Sequence, residues 1–145
     1  MKITIEDRQD DEEDEVIIRC RQMDEKLLKM IYALKAGMEK ITGIKGNDLV
    51  QLEPREIFYF EAVDNKVFAY MEKDVYETKL KLYELEKRFF GTDFIRVSKS
   101  VILNLTRVKS LRPAFNGRFE AYMKNEEIVI ISRQYVPLLK EKLGL

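Results

Sequence analysis

Between Phe94 and Asn104 the chain reads F-I-R-V-S-K-S-V-I-L-N, a stretch that sets Arg96, Ser98 and Lys99 among strand-forming apolar residues. Arginine offers a planar fork that binds guanine O6 and N7 or a phosphate, lysine a flexible point charge, and serine a short donor and acceptor. Two further places carry the same chemistry: Asn65 and Lys66, just beyond the strand-like run E-I-F-Y-F-E-A, and Arg133 within I-I-S-R-Q-Y. Each also has a plain structural reading. Lys66 fits a solvated turn, Lys99 an exposed strand lysine, and Arg133 an ion pair with a carboxylate such as Glu127. Ser98, Lys99 and Ser100 could nominally form a serine–lysine dyad. Neighbours on a strand point to opposite faces, however, and nothing nearby supplies an oxyanion hole.

Catalysis finds little else to use. The chain has no histidine and one cysteine, Cys20, so an internal disulfide is excluded and the commonest metal ligand and general base is missing. Phosphate-binding glycine loops, paired cysteine motifs and nucleophile elbows are absent from the sequence. No enzyme activity, metal or cofactor is expected. Cys20 reads as a small buried hydrophobe.

Formal net charge is zero over 145 residues, yet the charges are segregated. Residues 1–44 and 45–94 each carry 8 Lys/Arg against 11 Asp/Glu, whereas residues 95–145 carry 10 against 4. A basic region on an otherwise acidic chain is the electrostatic footprint of phosphate binding. No apolar run approaches the roughly 18 to 20 residues that span a bilayer, and the N-terminus lacks the zones of a signal peptide. The chain is therefore expected in the cytoplasm and is not itself a membrane protein.

Positioning these cations falls to a β-rich frame. Residues 2–6 and 16–20 read as two short strands because β-branched residues dominate them. Between them, Asp7 to Glu15 holds seven acids and one arginine, read as a solvated hairpin loop or as a tail that shields the basic region. From the N-cap Asp24, Leu27, Ile31, Leu34, Met38 and Ile41 recur at helical spacing. About two heptads cannot hold a coiled coil alone, so the stripe packs on the N-terminal hairpin or forms a dimer seam. Gly43 and Gly46 mark the helix exit and a linker, dividing the chain into 1–44, a β-β-α region, and 45–145.

The second part reads as strands over 48–52, 57–63, 67–71 and 75–78, a helix carrying Leu82, Leu85 and Phe89, and strands over 94–97, 101–103, 108–112, 119–124 and 128–131. Asp64-Asn65-Lys66, Asn116-Gly117 and Asn125-Glu126 are the turn signals. A last helix starts near Tyr135, because Pro137 suits a first helical turn. Asn104, at a strand end, is expected to make a structural turn bond. The aromatic set Phe58, Tyr59, Phe60, Phe68 and Tyr70 lies inside strands, which favours core packing over base stacking.

The F-I-R-V-S-K-S-V-I-L-N stretch, together with E-I-F-Y-F-E-A, Asn65-Lys66 and I-I-S-R-Q-Y, resembles the signature of the LytTR family of DNA-binding domains over about the last hundred residues. The resemblance implies a mainly β fold, an elongated stack of small antiparallel sheets with a short and a C-terminal helix. It also implies sequence-specific binding of double-stranded DNA by a transcriptional regulator, with inter-strand loops entering successive major grooves. Carried over by position, the DNA-binding residues are Asn65, Lys66, Ser98, Lys99 and Arg133; Arg96, within the same stretch, joins them as a phosphate contact or structural partner. The family often carries histidine where this chain has Ser98, a shorter side chain. Such domains commonly follow a receiver domain; this chain looks like the stand-alone subgroup, in which a membrane protein can act as regulator. Residues 1–44 are then the candidate region for homodimer formation or partner binding. The competing reading is a protein–protein interaction module of the same fold that has lost DNA binding.

Overall fold

The structure is a computed structural model and describes residues 1–9 and 11–145, with nothing stated of the side chains of Gly37 and Met38. Helix α1 spans Glu25–Met38, and Asp24 caps it by accepting the Leu27 N–H at 2.7 Å. Ten strands and two further helices follow: β1 (Ile41–Lys45), β2 (Asp48–Leu52), β3 (Tyr59–Val63), β4 (Lys66–Tyr70), β5 (Val75–Thr78), α2 (Leu82–Arg88), β6 (Phe94–Arg96), β7 (Val101–Asn104), β8 (Val108–Pro113), β9 (Phe119–Met123), β10 (Ile128–Ile131) and α3 (Val136–Lys142). The mainly β, antiparallel architecture agrees with the expected fold class.

Seven strands form one sheet in the order β2-β1-β5-β4-β3-β7-β6, and β10-β9-β8 form a second. Period-two alternation on β3 and β7 splits the apolar residues between two cores. Phe60 pairs with Ile102, and both join Leu85 and Phe89 in the core beneath α2. Val101 and Leu103 face the other way, into a core with Ala121, Met123, Ile131 and Leu139 from the small sheet and α3. The β3–β7 ribbon is thus packed on both faces, which makes it the rigid spine of the molecule. Phe60, Leu85, Leu103 and Leu139 are fully buried, each contributing about 1.5 to 3 kcal/mol by area removed from water.

Three expectations for the N-terminal region need correction. Residues 2–6 and 16–20 form no strands; no described residue before Ile41 belongs to one. Propensity without a paired neighbour is insufficient, since a lone two-stranded hairpin is marginal in water. Cys20 is correspondingly exposed, not buried. Asp10 of the acidic run lies outside the described residues.

The helix, secondly, does not pack on an N-terminal hairpin. Ala36 joins the core beneath α2, Leu27 is buried, Tyr32 meets the Phe90 ring edge-on at 5.9 Å between centroids, and Arg88 reaches Glu39 at 3.4 Å. Ile31 is half-buried, while Leu34 of the expected stripe is exposed and Met38 falls among the side chains not described.

Gly43, thirdly, is no linker. It sits inside β1, where a Cβ would come within 2.8 Å of Tyr76 Cβ and 2.9 Å of Leu52 Cδ1, so glycine permits close cross-strand approach. Gly46, at φ +61°, makes the β1–β2 turn. The boundary expected between residues 44 and 45 therefore falls within a strand of the large sheet.

Candidate nucleic-acid interface

Three loops meet at one end of the spine. The first is the β3–β4 turn, where Asp64 (φ 50°) and Asn65 (φ 64°) both take left-handed backbone, the geometry of a two-residue hairpin whose twist matches its strands. Asp and Asn tolerate that conformation, and the turn leaves Asn65 and Lys66 exposed. The second, the β6–β7 loop at residues 97–100, carries Ser98 and Lys99. The pairing of Glu61 with Val101 and the bond from Ala62 N–H to Ser100 O at 2.8 Å run up to this loop, so the Asp64–Asn65 turn lies at the same end. The third is the β10–α3 connection, whose Ser132 N–H donates to Val97 O at 2.9 Å, setting Arg133 beside the second loop.

Arg96 performs a different task from its neighbours. Its Nε donates to Ser98 O at 2.7 Å, one terminal nitrogen donates to Lys99 O, and the other meets Glu86 Oε2 at 2.8 Å. The guanidinium therefore closes the β6–β7 loop from within, and its side chain is only 19% exposed. Ser98 is also engaged locally: its Oγ accepts the Ser100 N–H at 3.2 Å and lies 3.4 Å from Ser100 Oγ. Lys99 points into solvent at the tip.

Arg133 opens a short 3-10 turn, Arg133–Tyr135, before α3. It makes no ion pair among the described residues, and Glu127, its expected alternative partner, instead accepts the Tyr59 hydroxyl at 2.9 Å. The Arg133 side chain lies along Gly117 (φ +74°), whose missing Cβ would be 2.9 Å from Arg133 Cδ. Asn116 and Arg118 of the β8–β9 connection consequently line one shallow hollow with Ser132, Arg133 and Gln134. Arg118 is an exposed cation of the basic last third that is not among the DNA-binding residues expected from the sequence; the Asn116-Gly117 turn signal locates it only once the β10–α3 loop is known to pack there.

Asn104 is structural. It is 1% exposed, its Nδ2 donates to Ile57 O at 2.8 Å, and its Oδ1 accepts from Thr106 N–H and Oγ1. Below the loops, Tyr59 and Tyr70 stack at 4.3 Å, with the Tyr70 hydroxyl donating to Glu61 at 3.2 Å. Partial burial, and next the bond to Glu127, hold the Tyr59 phenol well above its ordinary range. These aromatics are braces inside strands. No described helix is long and apolar enough to cross a membrane.

Comparison with known proteins gives the family and supports the fold. Residues 47–144 match the family model described as the LytTr DNA-binding domain. A sensory transduction protein LytT of Enterococcus faecalis is 32% identical over 114 residues, covering 78% of this chain and 47% of that protein, so the chain spans about half of its length. An uncharacterized HTH-type transcriptional regulator of Staphylococcus aureus is 26% identical over 148 residues, covering 100% of this chain and 99% of that protein. Among solved structures, a LytTr DNA-binding domain from Bacillus cereus superposes with a TM-score of 0.70 at 26% identity, covering 73% of this chain and 97% of the other. No two described α-helices adjoin, since β1–β5 separate α1 from α2 and β6–β10 separate α2 from α3, so helix-turn-helix geometry is not what presents its cations. Loops that leave strands present them, and the chain belongs to the LytTR family of DNA-binding domains.

Proposed function

We propose that the chain is a sequence-specific transcriptional regulator that reads the major grooves of double-stranded DNA with its inter-strand loops. The observation that carries this is the meeting of Lys66, Lys99 and Arg133 at one end of a doubly packed sheet, held there by main-chain bonds. Rigid backing restricts the loops before DNA arrives, which lowers the ordering cost of binding. In this reading Arg133 and Lys99 contact bases, Lys66 and Asn65 contact DNA from the β3–β4 turn, Ser98 offers at most its remaining hydroxyl capacity, and Arg96 positions the second loop. The protein works in the cytoplasm, and the region before β1 serves a homodimer or a membrane-protein regulator, a role supported by the apolar exposure of Met30 and Leu34 on α1.

Selection from a pool of random duplexes, with binding titrated against salt, tests the reading. Enrichment of one repeated motif is the expected result, with log affinity falling against log salt at a slope near four if about four or five phosphates are neutralised. No enrichment at low salt would leave the interaction-module reading in its place.

A further inference from the structure

Strand β6 closes one side of the large sheet and, among the described residues, pairs only with β7. Bonds from Leu105 N–H to Asp93 O at 2.9 Å and from Val97 N–H to Val101 O at 3.0 Å fix the alternation of this ladder. Phe94 and Arg96 therefore turn their main-chain groups to the outer edge. Thr92 Oγ1 accepts the Phe94 N–H at 3.2 Å; the Phe94 carbonyl and both Arg96 groups have no protein partner among the described residues. A groove follows this edge, floored by Phe94 and Arg96 and walled by Lys29 of α1, Phe90 after α2, and Leu138 and Lys142 of α3.

A strand-like segment is tethered close by. Val16–Cys20 reads V-I-I-R-C, yet it lies unpaired, with Val16 and Ile17 exposed at 70% and 65%. It precedes α1, whose Lys29 backbone abuts Gly91 so closely that a Cβ there would lie 2.8 Å from Lys29 O. Residues 21–24 can bridge up to about 13 Å between segment and helix.

We propose that Val16–Cys20 is a strap that closes on the outer edge of β6 as an eighth strand. Its direction follows from the tether: the segment enters α1 beside Gly91, at the start of β6, and so runs antiparallel to it. Cys20 then lies toward Phe94 and Val16 toward Arg96. The closed strap satisfies the outward Arg96 groups, covers β-branched side chains now in water, and protects an open edge. A short tether supplies a high effective concentration for this. Closure also carries the acidic run ending at Glu15 onward to the loop of Lys99, where its carboxylates compete with DNA phosphate. That competition rests on the DNA-binding reading; the docking of the strap does not.

Amide hydrogen exchange on the full chain without DNA tests the strap, using Ile18→Pro, which removes a ladder donor from an exposed segment outside both cores. Exchange at the Arg96 amide about tenfold faster in the variant is expected, because the edge bond is lost. Equal rates overturn the strap. Oxidation of Asp93→Cys, which adds a partner for Cys20, is expected to give an internally bridged monomer; a covalent dimer or no bridge overturns closure within one chain. Duplex binding then isolates the competition: Ile18→Pro binds several-fold tighter at low salt, with the difference shrinking as salt screens it. Altered exchange with unchanged affinity overturns the competition alone. If neither protein binds any duplex, the DNA-binding reading fails while exchange still decides the strap.

Discussion

Ser132 donates its main-chain N–H to the carbonyl oxygen of Val97 at 2.9 Å, and this bond joins the loop after β10 to the loop after β6. The two segments belong to different sheets. The core that Val101 and Leu103 share with Ala121, Ile131 and Leu139 already holds the two sheets together; the bond adds a main-chain link at their end, which sets the Arg133 loop beside the Lys99 loop.

Arg133→Ala should cost about 1 to 3 kcal/mol of affinity on the selected site and much less on random duplex, if the guanidinium reads a base edge. Quantitative mobility shift on both duplexes measures the difference. Equal losses would make Arg133 a phosphate contact.

Arg96→Ala should weaken DNA binding without removing any exposed cation, because the Ser98 and Lys99 carbonyls lose their internal donors. A loop-specific readout distinguishes this from lost charge: amide exchange at residues 98–100 should accelerate, while the salt slope of binding stays near the parent value. Glu86→Gln, which keeps a hydrogen-bond acceptor toward Arg96, should be milder. A salt slope reduced by about one would show instead that Arg96 itself meets phosphate.

Asn104→Ala should destabilise the fold by about 1 to 3 kcal/mol, since the buried side chain bonds Ile57 O and Thr106 and its loss leaves those groups unpaired. Chemical denaturation measures the change. Site preference in the DNA selection should be unaltered, as befits a brace between β7 and the turn before β3.

Tyr59 links stability to alkaline pH. Its phenol is held up in the folded state, chiefly by burial and then by the bond to Glu127, whereas in the unfolded chain it ionises near the ordinary value of about 10. A raised folded value means its stabilisation is complete below that pH and is lost as pH rises above it. Between pH 9 and 11 the melting temperature of Tyr59→Phe should therefore fall less steeply than that of the parent. Parallel curves would remove Tyr59 from the account.

Much of this was readable wherever local chemistry decides. Asp24 as helix cap, the Asp64-Asn65 turn and the strand runs that hold Phe60 and Val101 each depend on a residue and its near neighbours. Val16–Cys20 has strand propensity but no paired neighbour in the structure, and pairing is a tertiary property. Gly43 looks like punctuation, but the reason for it is the approach of Tyr76 and Leu52 from two other strands. Arg96 carries the same charge signal as Lys99; only the curl of the loop turns its donors inward.

Gly117 and Gly46 form a matched pair for testing whether Arg133 is held in place. Both have left-handed backbone, φ +74° and +61°, so alanine at either should cost about 1 kcal/mol of strain. They differ in what the new methyl meets. At Gly46 nothing lies within 4 Å; at Gly117 it would crowd Arg133 Cδ at 2.9 Å and Cγ at 3.0 Å, pushing the stem from its seat. For a chain of this size each variant should melt about 2 to 4 °C lower. Only Gly117→Ala should also lose affinity for the selected duplex, by less than Arg133→Ala, because a displaced arginine can still reach phosphate. If both glycine variants bind DNA like the parent, the Gly117 contact does not position Arg133 for reading.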